Sequence, residues 1–153
     1  MNKILWWSVL CTLGPIGYLP APGTMGTLIA FPLVLLFRFY VPVECIYILL
    51  SGLVTFVSYI AISKYMQNFP SEKDPSEIVL DEVVGVFFTL YGLPVHFHTV
   101  IFAFLLFRFF DIVKPFGLKR IEKTDGATGI ILDDIGAAVL TNVIIRMVLL
   151  YMR

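Results

Sequence analysis

The sequence predicts an all-α fold: a membrane-embedded helical bundle of short broken helices and hairpins, with its polar motifs gathered on one face. Two observations carry the prediction. Of 153 residues, 59% are hydrophobic and only 14% charged, with a mean hydropathy of +0.91; soluble domains average roughly 25% charged residues. The charges are also packed into compact segments between apolar runs. A soluble fold this small has too much surface for its volume to hide such an apolar content, and lipid removes the need to hide it. Helix follows because backbone in lipid must satisfy its own hydrogen bonds.

Met1 to Leu13 carries one lysine and then a brief apolar run. Gly14-Pro15 follows with no small-residue cleavage site. The segment therefore reads as a shallow interfacial helix, with Trp6 and Trp7 at headgroup depth, rather than as a signal peptide. The next run, Thr27 to Tyr40, is interrupted by Pro32 and Arg38 and broken by Val41-Pro42. Val43 to Ser63 has Glu44 as its only charge and is long enough to cross a hydrocarbon core, which takes roughly 20 residues. A polar loop follows, Lys64 to Glu77, with Pro70, Asp74 and Pro75. Val83 to Phe107 contains no Asp, Glu, Lys or Arg, but Gly92-Leu93-Pro94 divides it, which predicts a short helix, a turn and a second helix. Arg108 to Asp134 is polar, and Ile135 to Met152 is apolar apart from Asn142 and Arg146. The runs ending before Pro42 and Pro94 are too short to cross a bilayer alone, so about three to five helices are expected in the membrane.

If the apolar stretches broken at Pro42 and Pro94 are hairpins, the segments Pro20–Thr27, Lys64–Glu82 and Arg108–Asp134 meet on one side. That side carries Lys64, Lys73, Arg108, Lys114, Lys119, Arg120 and Lys123, which predicts a cytoplasmic location. Arg146 and Arg153 run against this unless they snorkel or the last helix stays shallow. Formal net charge is zero and there is no basic stripe, so nucleic acid is not an expected partner. Cys11 and Cys45 have no paired spacing and read as small hydrophobes. With no repeat, low-complexity tract or linker, residues 1–153 read as one domain.

Four polar motifs carry chemistry. In Leu19-Pro20-Ala21-Pro22-Gly23-Thr24-Met25-Gly26-Thr27-Leu28, Gly23 and Gly26 allow close backbone approach to a ligand, and Thr24 or Thr27 is placed to cap a following helix whose N–H groups attract anions. Asp81 and Glu82 are adjacent carboxylates in apolar sequence, suited either to a helix N-terminus or to a functional site near lipid. Arg108, Asp111 and Lys114 recur three apart, so they share a helix side that ends at Pro115. Asp125-Gly126-Ala127-Thr128-Gly129 is a flexible loop leading to a second acidic pair, Asp133 and Asp134, whose plainer use is helix capping. Five carboxylates drawn to one face repel unless cations balance them. Hard oxygen ligands suit Mg²⁺, which commonly bridges to substrate phosphate. Arg108 and Lys114 are placed to neutralise that phosphate, so metal-assisted phosphoryl chemistry is the leading class. His96 and His98 follow Pro94, away from the acids, and read as headgroup-level or structural residues.

At these residues the chain resembles the phosphatidylglycerophosphatase A family. The matching segments are Pro22-Gly23-Thr24-Met25-Gly26-Thr27-Leu28, Asp81-Glu82-Val83-Val84-Gly85, Phe107-Arg108-Phe109-Phe110-Asp111-Ile112-Val113-Lys114-Pro115 and Gly129-Ile130-Ile131-Leu132-Asp133-Asp134, in the family's order from about Leu13 onward. The resemblance implies an all-α, Mg²⁺-dependent phosphatase of the bacterial inner membrane, multi-pass, with its site on the cytoplasmic face. Its implied substrate is phosphatidylglycerol phosphate among the membrane lipids, with phosphatidylglycerol and inorganic phosphate as products. It implies Asp81, Glu82, Asp111, Asp133 and Asp134 as metal ligands or catalytic acids and bases. It also implies Thr24, Gly26, Thr27, Arg108 and Lys114 as the phosphate-binding residues. Phe116-Gly117 stands where many relatives carry a second proline. Two alternatives remain at this stage: a small transporter or assembly protein with an acidic ion site, and an enzyme like the CDP-alcohol phosphotransferases. The second lacks the Ala-Arg expected after Asp125-Gly126.

Overall fold

The apolar runs become helices, and the proline and glycine segments become the turns between them. The structure is a computed structural model and describes residues 3–41, 43–68, 75–121, 124 and 126–152. Pro42, Pro70, Lys73, Asp74, Lys123, Asp125 and Arg153 lie outside the described residues, as do the expectations placed on them. Seven α-helices are described: α1 (Lys3–Cys11), α2 (Pro22–Tyr40), α3 (Glu44–Asn68), α4 (Leu80–Leu90), α5 (Phe97–Val113), α6 (Leu118–Ile121) and α7 (Ala127–Tyr151). A 3₁₀ turn, Ile16–Tyr18, joins α1 to α2. No strand is present among the described residues.

Helices α2, α3 and α7 are long and apolar enough to cross a membrane. Their outward faces expose Leu33, Leu36, Phe39, Leu49, Phe56, Met147 and Leu150, an arrangement that suits lipid and not water. The run before Pro42 is therefore not short. The Pro-Gly-Thr segment expected to lead into α2 is its first turn, because Pro22 takes the position where a missing N–H costs nothing. The helix also continues through Pro32 and Arg38. Capping by Thr24 or Thr27 is overturned for the same reason: the N-cap is Ala21, left-handed at φ 54°, and makes no side-chain cap bond. Asp133 and Asp134 likewise lie inside α7, whose N-cap is Gly126.

Helix α4 sits at the centre, packed against α2, α3 and α7, with α5 also against α7. Val84, Val86, Phe87, Thr89 and Leu90 are buried along it. Phe31, Val34, Tyr47, Phe107 and Ile145 close the core around its C-terminal half, and Cys11, Ile62, Tyr65, Ile130 and Ile131 close it around its N-terminal half. As the break at Gly92-Leu93-Pro94 foretold, α4 stops deep in the bundle. Its open end is satisfied by side chains. Asn142 Nδ2 donates to the Thr89 and Tyr91 carbonyls at 2.9 and 2.8 Å, Arg146 donates to Tyr91 O at 2.7 Å, and Tyr47 donates to Phe87 O at 2.8 Å. Arg146 thus has a structural occupation. Its Nε also donates to Asn142 Oδ1 at 2.7 Å, and its guanidinium lies over the Tyr91 ring.

Candidate active site

The N-terminal ends of α2, α4 and α7 meet the C-terminal end of α5, and the polar motifs meet with them. Adjacent residues on a helix diverge by roughly 100°, so each acidic pair splits. Glu82 and Asp134, 5% and 4% exposed, turn toward Asp111 of α5, while Asp133, buried as well, turns toward Lys114. One carboxylate oxygen from each of Glu82, Asp111 and Asp134 lies within 4.8 Å of the others, a group that could hold a metal ion. Asp81 and Asp133 fall outside that group. The Asp81 charge bears both on Asp134 and on Cys11, whose thiol is pushed up to about 12, mainly by burial. Asp133 pairs with Lys114, which leaves α5 in a left-handed conformation at φ 49° and so reaches across to α7.

Arg108 ties the centre together. Its Nη1 lies 2.6 Å from Glu82 Oε1 and 2.7 Å from Asp111 Oδ2. The Thr27 hydroxyl is 2.8 Å from both Glu82 Oε2 and the Gly23 carbonyl, and donates its one proton to either; it accepts from Arg108 Nη1 at 3.3 Å. Burial pushes the Glu82 carboxyl up to about 7, against the opposing pull of Arg108. Asp134 Oδ2 and Arg108 Nε are buried with no hydrogen-bond partner among the described residues. Three clustered carboxylates thus share one guanidinium, with Lys114 occupied by Asp133, and buried oxygen that lacks a partner is costly. Both facts fit a site built to receive a cation and a phosphate.

The structure treats the two loop glycines differently from the sequence reading. A Cβ on Gly26 would strike Val79, so Gly26 serves the close approach of α2 to α4. A Cβ on Gly23 would strike Glu82 Oε1 and crowd Arg108, so Gly23 is the glycine of the site. The signal for this was its place one turn before Thr27, whose hydroxyl reaches back to it. Thr24 is half-buried at the start of α2, and no hydrogen bond from its hydroxyl is described. His96 and His98 are exposed at the opposite end of α5, as expected.

A helical bundle with three helices fit to cross a membrane, gathering carboxylates and an arginine at one end, defines an integral membrane protein with a polar reaction centre. A family profile described as Phosphatidylglycerophosphatase A matches residues 9–149. The chain belongs to the phosphatidylglycerophosphatase A family and is a phosphatase. It is 33% identical over 136 residues to the Phosphatidylglycerophosphatase A of Haemophilus influenzae, covering 82% of this chain and 77% of that one. Against the Escherichia coli protein of the same name it is 33% identical over 126 residues, 78% and 69% of the two chains. A Bacteroides thetaiotaomicron protein, provisionally named a phosphatidylinositol-3-phosphatase, is 36% identical over 135 residues, 84% of each chain. No solved structure matches the chain with significance. The transporter and phosphotransferase alternatives give way to this family membership.

Proposed function

We propose that the protein hydrolyses the phosphomonoester of phosphatidylglycerol phosphate, releasing phosphatidylglycerol and inorganic phosphate, at the cytoplasmic face of the bacterial inner membrane, with the whole chain acting as one domain. The observation that carries this reading is the gathering of Glu82, Asp111 and Asp134 around Arg108 at the end of the bundle where headgroups lie. Mg²⁺ fits the donor set, which is all hard oxygen and includes the unpartnered Asp134 Oδ2. Glu82, Asp111 and Asp134 would hold it, with Asp81 and Asp133 as flanking acids, and when bound it polarises the phosphoryl oxygens.

The remaining work falls to the chain. Arg108 is fixed through Nη1, and its Nε edge is left for a phosphate oxygen. Lys114 adds positive charge from the Asp133 side, and Gly23, Thr24 and Thr27 form the α2 wall of the phosphate pocket. Asp134 orients the attacking water through the carboxylate oxygen not given to the cation and takes its proton. The water oxygen then bonds to phosphorus as the bond to the lipid glycerol oxygen breaks, and that proton passes to the glycerol oxygen to leave a free hydroxyl.

A second substrate, a phosphatidylinositol monophosphate, is supported by the name of the Bacteroides relative. Phosphate release by detergent-purified protein from each lipid separates the two. Preferential release from phosphatidylglycerol phosphate upholds the proposal. Preferential release from the inositol lipid moves the assignment to that substrate, and release from neither overturns both.

A further inference from the structure

Between α5 and α7 the chain displays a segment that the site does not use. Phe116 is 86% exposed and sits in the left-handed region at φ 55°. A non-glycine residue is strained there, and surrounding structure must enforce it. Leu118 supplies that enforcement: it is buried, and a Cβ on Gly136 of α7 would strike it. Lys119 and Arg120 follow, both exposed and with no carboxylate partner among the described residues. Ile112 and Val113, just before the turn, are exposed and apolar.

The depth of this segment is fixed by α7. Gly136 lies less than one helical turn beyond Asp133 and Asp134, so α6 stands at the level of the candidate site. That level is where the acidic first part of α7 gives way at Ile135 to its apolar run, in a helix long and apolar enough to cross a membrane. An exposed aromatic beside two basic side chains with no carboxylate partner among the described residues, at the boundary of the hydrocarbon, is the composition of an interfacial anchor. Water alone gives no reason to hold Phe116 out, and an apolar protein partner would leave Lys119 and Arg120 unmatched.

We propose that the segment 115–121 is a second lipid-binding surface, selective for anionic phospholipid, in which Phe116 enters the acyl boundary while Lys119 and Arg120 hold headgroup phosphates. This surface goes beyond the catalytic proposal. It would enrich anionic lipid, substrate and product alike, beside the site without touching the reacting atoms.

The test uses the full chain with Phe116→Trp, Trp6→Phe and Trp7→Phe, reconstituted in phosphatidylcholine vesicles. Small equal fractions of acyl-brominated phosphatidylcholine or acyl-brominated phosphatidylglycerol are included, and fluorescence quenching is read. Expected are blue-shifted emission, quenching by both lipids, and an enrichment of the anionic quencher of roughly thirtyfold at most, the effect of two basic residues near a lipid surface. Lys119→Gln with Arg120→Gln should bring the two quenchers level while leaving quenching by phosphatidylcholine intact. High salt should do the same to the unsubstituted basic pair. Water-like, unquenched emission would overturn contact with the bilayer, and equal quenching by the two lipids would overturn selectivity for anions. An inactive protein that keeps the preference would sink the phosphatase substrate assignment and leave this surface standing.

Discussion

Glu82 takes a bond from Thr27 at 2.8 Å and one from Arg108 at 2.6 Å, so it joins α2, α4 and α5 at one carboxylate. Glu82→Gln is expected to lower kcat by about 10² to 10³, the usual cost of removing one preorganised electrostatic contact, and a phosphate-release assay on folded protein checks this. Arg108→Lys keeps the charge but loses the rigid guanidinium that holds Nη1 between Glu82 and Asp111 and leaves Nε for the phosphate, and a comparable loss is expected in the same assay. Gly23→Ala forces a methyl group against Glu82 and Arg108; about 1–3 kcal/mol of stability should go with it, read by denaturation in detergent. The raised Glu82 carboxyl also sets a pH dependence. Its folded value of about 7 lies above the ordinary 4.5, so the folded state holds the extra proton between them. That contribution is complete below about 4.5 and is lost as pH rises through about 7. Cation-free protein should therefore melt at lower temperature as pH rises through that window, and added Mg²⁺ should restore more stability at the upper end, where the carboxylate is charged. At this scale the sequence drew attention to the acids, because intramembrane carboxylates are costly and stand out. It did not say which member of each adjacent pair joins Asp111, since that depends on which helix faces α4.

Helix α4 is held from both ends: its first turn presents Asp81 and Glu82, and its last carbonyls are taken by Asn142, Arg146 and Tyr47. Asn142→Ala removes the donor to two of these carbonyls and is expected to cost about 1–2 kcal/mol, within the range found for hydrogen bonds between membrane helices. Thermal or SDS unfolding of purified protein measures it, and unchanged stability would show that Arg146 alone suffices. The split of the third apolar run into α4 and α5 was legible from Gly92-Leu93-Pro94. The polar residues Asn142 and Arg146 looked anomalous in an apolar run only because their partners, the carbonyls at the end of α4, are carried by a distant stretch of chain. The start of α2 at Pro22 was hidden by the Pro-Gly pattern, which serves as well for a first helical turn as for a loop.

Across the whole molecule, hairpins return the chain so that four helix ends share one face, and the acids separated in sequence become neighbours there. That convergence was predicted from the spacing of polar segments, and the 4.8 Å grouping of Glu82, Asp111 and Asp134 is its result. Lys114 departed from the expected row with Arg108 because α5 ends before it, at Val113, and the left-handed turn sends it to Asp133. The central claim is that this end of the bundle is a lipid phosphatase centre working with a divalent cation. The most direct measurement is phosphate release from phosphatidylglycerol phosphate in mixed micelles, by EDTA-treated protein before and after Mg²⁺ is restored, with Asp134→Asn run alongside. The prediction is release that appears only with Mg²⁺ and is lost in Asp134→Asn. Release that is indifferent both to EDTA and to Asp134 would contradict it.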